Sequence, residues 1–443
     1  MKGISLLLAL WLLIPGVGCS QQNNNQPQAN SGGASKQTGG DHQSKPSKSH
    51  SGSGQDAVFK NLQVYFINGE KRGQDAKYLP LAEAMEKGIA RVNETGEVQN
   101  LTIENLSETE YVFVNAGDIV KGGRQDRYLV NSLIVPPNSG KIDLASFCVE
   151  AGRWSQRGRE SAARFSASKF TAPSSDIKLA AQFHKNQKLV WDGVAQSRAY
   201  YSLAVSSPSV GSPSVGSSTS GNLPSTLPVT VAAATTDPSA GILAPPAIPG
   251  DPNQTVIDPN TGLPSTDQRA QVASLVIRRA QFQQAASILA YSSLPGGSSS
   301  LQLALENPKV QELVKEYEDN MNRQLTNQRN PVGFAVAING KIVGADVYGE
   351  DGLFKALWPK LINGAATEAV AKYDEKIKVK RLKQADFEAF LENKKQDRPM
   401  KKDLNDQTQL LTIKGDRHIL FETRDKRGSK NWIHRNYLAA PEK

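Results

Sequence analysis

The chain has 443 residues and a formal net charge of +9, and 38% of its residues are hydrophobic. That apolar share is below the average for globular proteins, so a globular core must be diluted by long polar segments. Two cysteines exclude a disulfide-stapled scaffold and any multi-cysteine zinc or iron–sulfur site. Five histidines without HxxxH or HxH spacing argue against a histidine metal site. We therefore predict neither a metal nor a cofactor.

The N-terminal residues 1–20 carry one basic residue, then an apolar run and then small residues. This pattern is typical of a secretory signal and is too short for an ordinary membrane-spanning helix. The segment from Gly16 to Cys19 resembles the lipobox of bacterial lipoproteins, in which Cys19 would be acylated after cleavage. Ordinary cleavage after Ser20 is the alternative. Both interpretations predict an extracytoplasmic protein of the cell envelope, either secreted or attached to the membrane through a lipid on Cys19.

Two segments of low complexity divide the rest of the chain. Residues 21–57 hold almost nothing apolar, so they cannot offset the entropy of ordering and are predicted to be a disordered tether. A coil of this kind would hold a domain roughly 30–40 Å from its anchor. Residues 206–267 are rich in Ser, Pro and Thr and include the tandem pair SPSVG-SPSVG. This block is either a linker between two domains or an insertion within one, because the cost of closing a loop grows slowly with its length.

The first folded part, residues 58–205, mixes strand and helix periodicities. Alternating apolar residues predict strands at 59–67, 98–106, 111–114, 128–135 and 142–149. Pro136 and Pro137, with the polar turn that follows them, predict that the last two strands form a hairpin. Apolar residues at helical spacing predict helices at 78–92 and 174–200.

The second folded part, residues 268–443, begins with a predicted amphipathic helix at 268–291. Asn307 followed by Pro308 is a strong start signal for another helix. Asn339-Gly340 is a strong hairpin signal between apolar runs. The remaining predicted elements are strands at 332–338 and 342–348, a helix at 354–370, and a last hairpin of 410–413 with 419–421. From residue 372 to the end, 19 Lys and Arg stand against 12 Asp and Glu, so most of the net positive charge lies there.

The densest group of motifs lies between residues 115 and 154. One end is a glycine-rich turn that contains Gly122, Gly123, Arg124, Gln125, Asp126 and Arg127. The other end reads FCVEAGRW, and the strand between them ends in IVPP. These pieces resemble the ARG-and-rhodanese-phosphatase-superfamily-associated protein domain family, which carries a GGxQDR turn, an IPP strand end and a CVExGRW segment.

The second half is similar to the same family in its AINGKIVG strand pair, its LF…W.KL helix and a basic closing segment with a late histidine. The resemblance covers nearly all of 58–438 and skips the Ser/Pro-rich block, so it favours an insertion within one domain. We expect an α+β fold of antiparallel β-hairpins packed with several helices, interrupted by that disordered insertion. The family's name records an association with ADP-ribosylglycohydrolases and rhodanese-type phosphatases, which implies nucleotide or ADP-ribose metabolism.

The glycine-rich turn is a candidate anion site. Two glycines let backbone N–H groups approach a phosphate closely, and the arginine forks of Arg124 and Arg127 bind its oxygens. The alternative is a tight turn in which arginine pairs with Asp126. Arg153 and Trp154 are candidates for the same site, where arginine would hold phosphate and the indole would stack on a base or sugar.

Three residues are candidates for catalysis. Cys148 is either a nucleophilic thiol beside Glu150 or, as free cysteines at the ends of apolar strands commonly are, a small buried hydrophobe. Asp126 and Glu150 are a candidate acid–base pair. Glu150 is equally compatible with a buried ion pair to Arg153, capped by Trp154.

The basic C-terminal region, with Trp432, His434 and Tyr437, is compatible with nucleic acid or anionic lipid headgroups, but its interspersed charges are more typical of a solvated surface. We expect no nucleic-acid partner. The leading hypothesis is a non-enzymatic domain that binds a small anionic ligand. The alternatives are a hydrolase of phosphorylated or ADP-ribosylated substrates and a scaffold for envelope protein contacts. A pocket requires the binding residues to converge, whereas a scaffold predicts them in internal pairs beside an exposed apolar patch.

Overall fold

The computed structural model describes residues 56–69, 78–206, 299–427 and 432–441. The signal segment, nearly all of the tether, nearly all of the Ser/Pro-rich block and the helix predicted at 268–291 lie outside these ranges. Among the described helices, none combines the length and apolar character needed to cross a membrane.

Seventeen strands and seven helices are found in the described residues. In chain order the strands are β1 (Asp56–Phe59), β2 (Leu62–Asn68), β3 (Tyr78–Pro80), β4 (Ala90–Glu94), β5 (Asn100–Asn105), β6 (Tyr111–Val114), β7 (Asp118–Gly122), β8 (Arg127–Leu129), β9 (Leu133–Val135), β10 (Ile142–Cys148), β11 (Phe165–Thr171), β12 (Pro331–Ile338), β13 (Lys341–Tyr348), β14 (Met400–Asp403), β15 (Thr408–Lys414), β16 (His418–Asp425) and β17 (Trp432–Ala439). The helices are α1 (Leu81–Glu86), α2 (Ser175–Gln182), α3 (Gln187–Ser206), α4 (Leu301–Leu305), α5 (Pro308–Leu325), α6 (Asp351–Ala371) and α7 (Gln384–Leu391).

The strands form three sheets. The largest has eight antiparallel strands in the order β1-β2-β12-β13-β17-β16-β15-β14. A six-stranded sheet has the order β11-β7-β8-β10-β5-β4, and a three-stranded sheet has the order β3-β6-β9. Only the pair β3 and β6 is parallel among the described strands. The expected α+β class of antiparallel hairpins and helices is confirmed.

Local signals account for the best-predicted elements. Asn339 and Gly340 both have positive φ, +52° and +75°, as a two-residue hairpin turn requires, and they join β12 to β13. Asn307 caps α5, because its side chain accepts a hydrogen bond from the backbone N–H of Lys309 at 3.0 Å, and Pro308 follows at the first helical position. These predictions are confirmed.

Three predicted elements differ from the structure. The helix predicted at 78–92 is only α1, flanked by β3 and β4, because Gly88 takes a φ of +72° and ends the helix. The strand predicted at 128–135 is two short strands, β8 and β9, which belong to different sheets, so only β8 pairs with β10. The helix predicted at 174–200 is divided into α2 and α3, and Lys185, with a φ of +50°, lies at the break.

The main hydrophobic core lies where α5 and α6 pack against the eight-stranded sheet, and α3 packs on these two helices and on β10. Aromatic rings fill its centre: Trp358 of α6 contacts Phe66 and Phe334 of the sheet at centroid distances of 5.5 and 5.4 Å. A second core has contributions from both smaller sheets, with Val92, Leu101, Val112 and Leu129 among its members. The six-stranded sheet places the glycine-rich turn at one of its ends, next to the chain that joins β10 to β11.

Candidate functional site

Two segments that the sequence singles out lie side by side. The turn between β7 and β8 meets the 150–164 segment between β10 and β11. Gly123 donates its N–H to the carbonyl of Ser161 at 2.9 Å, and Val149 donates to the carbonyl of Asp126 at 3.1 Å. The structure therefore brings the turn and the CVEAGRW segment together.

The glycines of the turn have a packing role. Gly122 and Gly123 have φ of +117° and +55°, which side-chain-bearing residues rarely adopt. A Cβ on Gly123 would also overlap the ring of Phe165 and lie 2.9 Å from a carboxylate oxygen of Glu94. Both glycines are thus required by the path of the chain itself.

The backbone N–H groups of the turn already have acceptors within the protein. Gly122 donates to Oδ1 of Asp126 at 3.1 Å, and Arg124 donates to Oε2 of Glu94 at 3.3 Å. The turn has the chemistry of an anion-binding loop, and the anions that it holds in this structure are two of the protein's own carboxylates.

Asp126 is the centre of a buried ion cluster. Its side chain has no exposure, and it accepts hydrogen bonds from both terminal nitrogens of Arg157 at 2.9 and 3.2 Å, from Arg153 at 3.4 Å and from Ser300 at 3.0 Å. Glu150 joins the cluster, because Nε of Arg153 donates to it at 2.6 Å. The candidate acid–base pair is therefore brought together, with arginines bound to both carboxylates.

Arg157 lies on the outer side of this cluster, with its side chain 21% exposed. Burial opposes its charge, but hydrogen bonds to Glu160 and the charge of Asp126 outweigh that effect and raise the pKa of the guanidinium. The arginine is a permanent cation that holds the 150–164 segment onto the turn.

Arg127 lies beneath the turn and is 1% exposed. Its guanidinium donates to Oε1 of Gln125 at 3.1 Å and to Sγ of Cys148 at 2.9 Å, and it lies 3.5 Å from Glu94. Gln125 in turn donates to the carbonyl of Glu150 at 2.8 Å. Burial raises the pKa of the Cys148 thiol to about 11, although Arg127 opposes the shift, so the thiol is protonated at neutral pH.

Other residues of the two segments point to solvent. Trp154 is 45% exposed. Arg124, Arg159 and Arg164 are exposed, and their guanidinium groups have no hydrogen bond or ion pair to any described residue. Residues 121–127 and 150–164 together carry seven basic and three acidic side chains. We call the outward face of these two segments the arginine surface.

Sequence reasoning missed a chain of polar side chains inside the fold. Oγ of Ser132 lies 2.8 Å from Nδ1 of His434, and Nε2 of His434 lies 3.0 Å from Oδ1 of Asp346. Ser132 and His434 are 3% and 1% exposed, so the serine hydroxyl does not face solvent as a nucleophile must. A signal was present in the sequence, because Asp346 interrupts the otherwise apolar run from Ile342 to Tyr348.

The aromatic residues of the basic C-terminal region are also internal. Trp432, His434 and Tyr437 are 8%, 1% and 4% exposed. The guanidinium of Arg435 lies over the ring of Trp432, 4.3 Å from its centroid. These three side chains belong to the packing of β17 against its neighbours.

The fold and the cluster define an α+β domain in which the glycine-rich turn and the CVEAGRW segment are joined by buried ion pairs. The chain belongs to the family described as the ARG and Rhodanese-Phosphatase-superfamily-associated Protein domain, whose model matches residues 51–236 and 265–438. The unmatched residues 237–264 fall inside the Ser/Pro-rich block, as expected for an insertion within one family domain. The chain has no match among curated proteins or among solved structures.

Proposed function

We propose that this protein is a non-enzymatic ligand-binding domain of the cell envelope, and that it binds a small anion of the phosphate or ADP-ribose type on the arginine surface. The observation that carries the proposal is a set of exposed arginines, Arg124, Arg159 and Arg164, whose guanidinium groups have no partner among the described residues. They lie on the same two segments as the exposed indole of Trp154. Guanidinium groups bind phosphate oxygens through paired hydrogen bonds. An exposed indole offers a stacking face for a base or a sugar.

The buried cluster gives this surface its shape. Arg153 and Arg157 are bound to Asp126 and Glu150, so they fix the backbone from which the exposed arginines extend. In this proposal Arg153 and Arg157 position the 150–164 segment, and the exposed arginines bind the ligand. The binding groups are therefore Arg124, Arg159 and Arg164 rather than Arg127.

Ligand binding is tested by isothermal titration of the full-length protein with ADP-ribose and with inorganic phosphate. A variant that carries Arg124→Gln, Arg159→Gln and Arg164→Gln is expected to lose at least tenfold in affinity and to keep its unfolding midpoint, because these guanidinium groups form no hydrogen bond or ion pair with the part of the chain that the structure describes. The matched control replaces two exposed lysines of β14, Lys401→Gln and Lys402→Gln, and is expected to bind as the parent does. Equal binding by all three proteins would contradict the proposal.

Trp154 provides a second readout of the same site. A base or sugar that stacks on its indole changes the fluorescence of the parent protein, and Trp154→Ala removes that change while the other tryptophans stay in place. Release of phosphate or ribose from the ligand during these titrations would instead favour the hydrolase alternative.

The envelope location is part of the proposal and rests on the N-terminal sequence. If Cys19 is acylated, labelled palmitate enters the parent protein and is absent from a Cys19→Ala variant. Equal labelling of the two proteins would contradict the lipid anchor.

A scaffold for envelope protein contacts is the second candidate function. The observation that favours it is the internal pairing of Arg127, Arg153 and Arg157, which is the arrangement expected of a structural motif. Titrations that show no binding, together with cross-linking of the full-length protein to another envelope protein through the 150–164 segment, would support this candidate.

A further inference from the structure

A small cavity lies away from the arginine surface, where α2 and α6 meet the face of the eight-stranded sheet. Its volume is about 40 Å³, and strands β12, β13 and β17 form its floor. This space would hold roughly three water molecules, at ~10–15 Å³ for each. Lys178, Val343 and Ala365 at its edge are half-buried, so the cavity reaches solvent there.

Asp346 presents an unpartnered oxygen to this cavity. The residue is 7% exposed, and its Oδ1 accepts hydrogen bonds from His434 at 3.0 Å and from Asn436 at 2.7 Å. No described residue donates to its Oδ2. His434 is oriented by Ser132 on its other ring nitrogen, so the chain from Ser132 holds the carboxylate in one orientation.

Glu368 of α6 presents a second carboxylate to the cavity. It is 5% exposed, and its Oε1 accepts from Nζ of Lys372 at 2.6 Å and from Oγ of Ser175 at 3.0 Å. Its Oε2 has no donor among the described residues. A carboxylate oxygen that lines a cavity and has no donor from the described residues can accept a hydrogen bond from water or from a ligand.

Lys178 supplies the complementary charge. It lines the cavity from α2, and its ammonium group makes no hydrogen bond or ion pair with any described residue. Its charge acts on Asp346 and favours the ionised carboxylate, together with the hydrogen bond from His434. The cavity therefore offers free acceptors from two carboxylates and free donors from one ammonium group.

The lining presents both signs of charge. Asp346 and Glu368 are carboxylates, and Lys178 is an ammonium group. A ligand that carries an ammonium group and a carboxylate can therefore pair with both, whereas a ligand with one charged group leaves one sign without a partner.

We propose that this cavity binds a small zwitterion of amino-acid type, with its ammonium group between Asp346 and Glu368 and its carboxylate on Lys178. Only a molecule of a few heavy atoms fits a space of about 40 Å³. Glycine and alanine, the smallest molecules of this type, are therefore the probes.

The test is isothermal titration of the full-length protein with glycine and alanine at millimolar concentration, beside acetate and methylammonium, which each carry half of the zwitterion. Glycine is expected to bind at least tenfold more tightly than either half-ligand. Lys178→Gln, which removes no hydrogen bond or ion pair to a described residue, is expected to lower the affinity for glycine at least tenfold. The control Lys309→Gln replaces an exposed lysine outside the cavity and is expected to bind as the parent does.

A cavity-filling variant makes the test independent of charge. Ala365→Leu fills the space from α6 and is expected to abolish glycine binding, while its circular dichroism shows whether the fold is kept. The proposal is overturned if glycine and alanine do not bind the parent protein, which would mean that the cavity holds water alone. It is equally overturned if Lys178→Gln and a folded Ala365→Leu variant bind glycine as the parent does.

Discussion

At the scale of single residues, Asp126 shows how the family's GGxQDR turn works. The carboxylate is fully buried and holds Arg153, Arg157, Ser300 and the backbone of Gly122. Asp126→Asn removes a carboxylate that hydrogen-bonds to both Arg153 and Arg157, although Glu150 and Glu160 still pair with them. Loss of one partner from a buried pair typically costs about 3–5 kcal/mol. Because both arginines are partly solvated, we expect a loss at the lower end, about 3 kcal/mol, measured by urea denaturation.

The control for Asp126→Asn is an exposed ion pair of similar length. Lys315 lies 2.8 Å from Asp319 on α5, with side chains that are 68% and 49% exposed. Pairs of this kind contribute about 0.3–0.5 kcal/mol, so Lys315→Ala is expected to change the free energy of unfolding by less than ~1 kcal/mol. Similar losses in the two variants would show that burial of the Asp126 cluster contributes nothing to stability.

Gly123 gives a second prediction at this scale. Gly123→Ala places a Cβ against the ring of Phe165 and forces a φ of +55° on alanine. Strain of this backbone type costs of order 1–3 kcal/mol, and overpacking adds to it, so we expect a loss of about 3 kcal/mol in the free energy of unfolding. Gly140→Ala is the control, because a Cβ there meets nothing within 4 Å and φ is not positive. Equal stability of the two variants would contradict the packing role of Gly123.

The sequence reveals the composition of the site better than its geometry. The spacing of Gly122, Gly123 and the arginines identifies the right segments, because these residue types indicate their roles locally: glycine permits a positive φ, and arginine binds anions. Whether Arg127 faces solvent or Cys148 depends on strand pairing between β8 and β10, which is a tertiary property. The chain of Ser132, His434 and Asp346 was missed for the same reason, since Ser132 is 302 residues and Asp346 is 88 residues from His434 along the sequence.

At the scale of secondary structure elements, turn chemistry decides which predictions succeed. The Asn339-Gly340 hairpin and the Asn307 cap depend on a few adjacent residues, and both were predicted. The segment 78–92 has helical spacing, but Gly88 and the pairing of β3 and β4 with other strands override it. The segment 128–135 reads as one strand, because apolar alternation cannot show that its halves join different sheets.

The junction of α7 and β16 carries a pH-dependent prediction. His418 lies 2.7 Å from the carbonyl of Phe390 through Nδ1 and 3.0 Å from the side-chain nitrogen of Asn393 through Nε2. Burial lowers its pKa from 6.5 to about 4, although the bond to Phe390 opposes the shift. The folded state therefore favours the neutral ring, and the stability that this provides is fully present above pH 6.5 and is lost as the pH falls toward 4.

At about 1.4 kcal/mol for each unit between a pKa of 6.5 and one of about 4, the effect is on the order of 3–4 kcal/mol. His418→Gln has no titrating ring, so the difference in the free energy of unfolding between the parent and this variant should shrink as the pH falls from 7 toward 4. Comparison of the two proteins cancels the titration of the carboxylates. A difference that stays constant over this range would show that His418 does not titrate with folding.

At the scale of the whole molecule, two distant parts of the chain build one sheet. β1 and β2 come from before the Ser/Pro-rich block, and the other six strands of the eight-stranded sheet come from after it. β2 pairs with β12 from Leu62 opposite Ile338 to Asn68 opposite Pro331. This register explains how one family domain tolerates an insertion, because the strand pairing, and not the connecting chain, holds the two parts together.

The last prediction follows from that pairing. A fragment of residues 265–438 lacks β2 and leaves the edge of β12 without its partner, and a bare apolar edge strand is prone to aggregate. A fragment of residues 51–236 keeps both smaller sheets, but its two strands of the large sheet are too few to be stable alone, and its part of the main core loses the cover of α5 and α6. We expect each fragment alone to lack a cooperative thermal transition, and the two co-expressed fragments to form a complex that unfolds in one transition. A cooperative transition in either isolated fragment would instead indicate two domains joined by a linker.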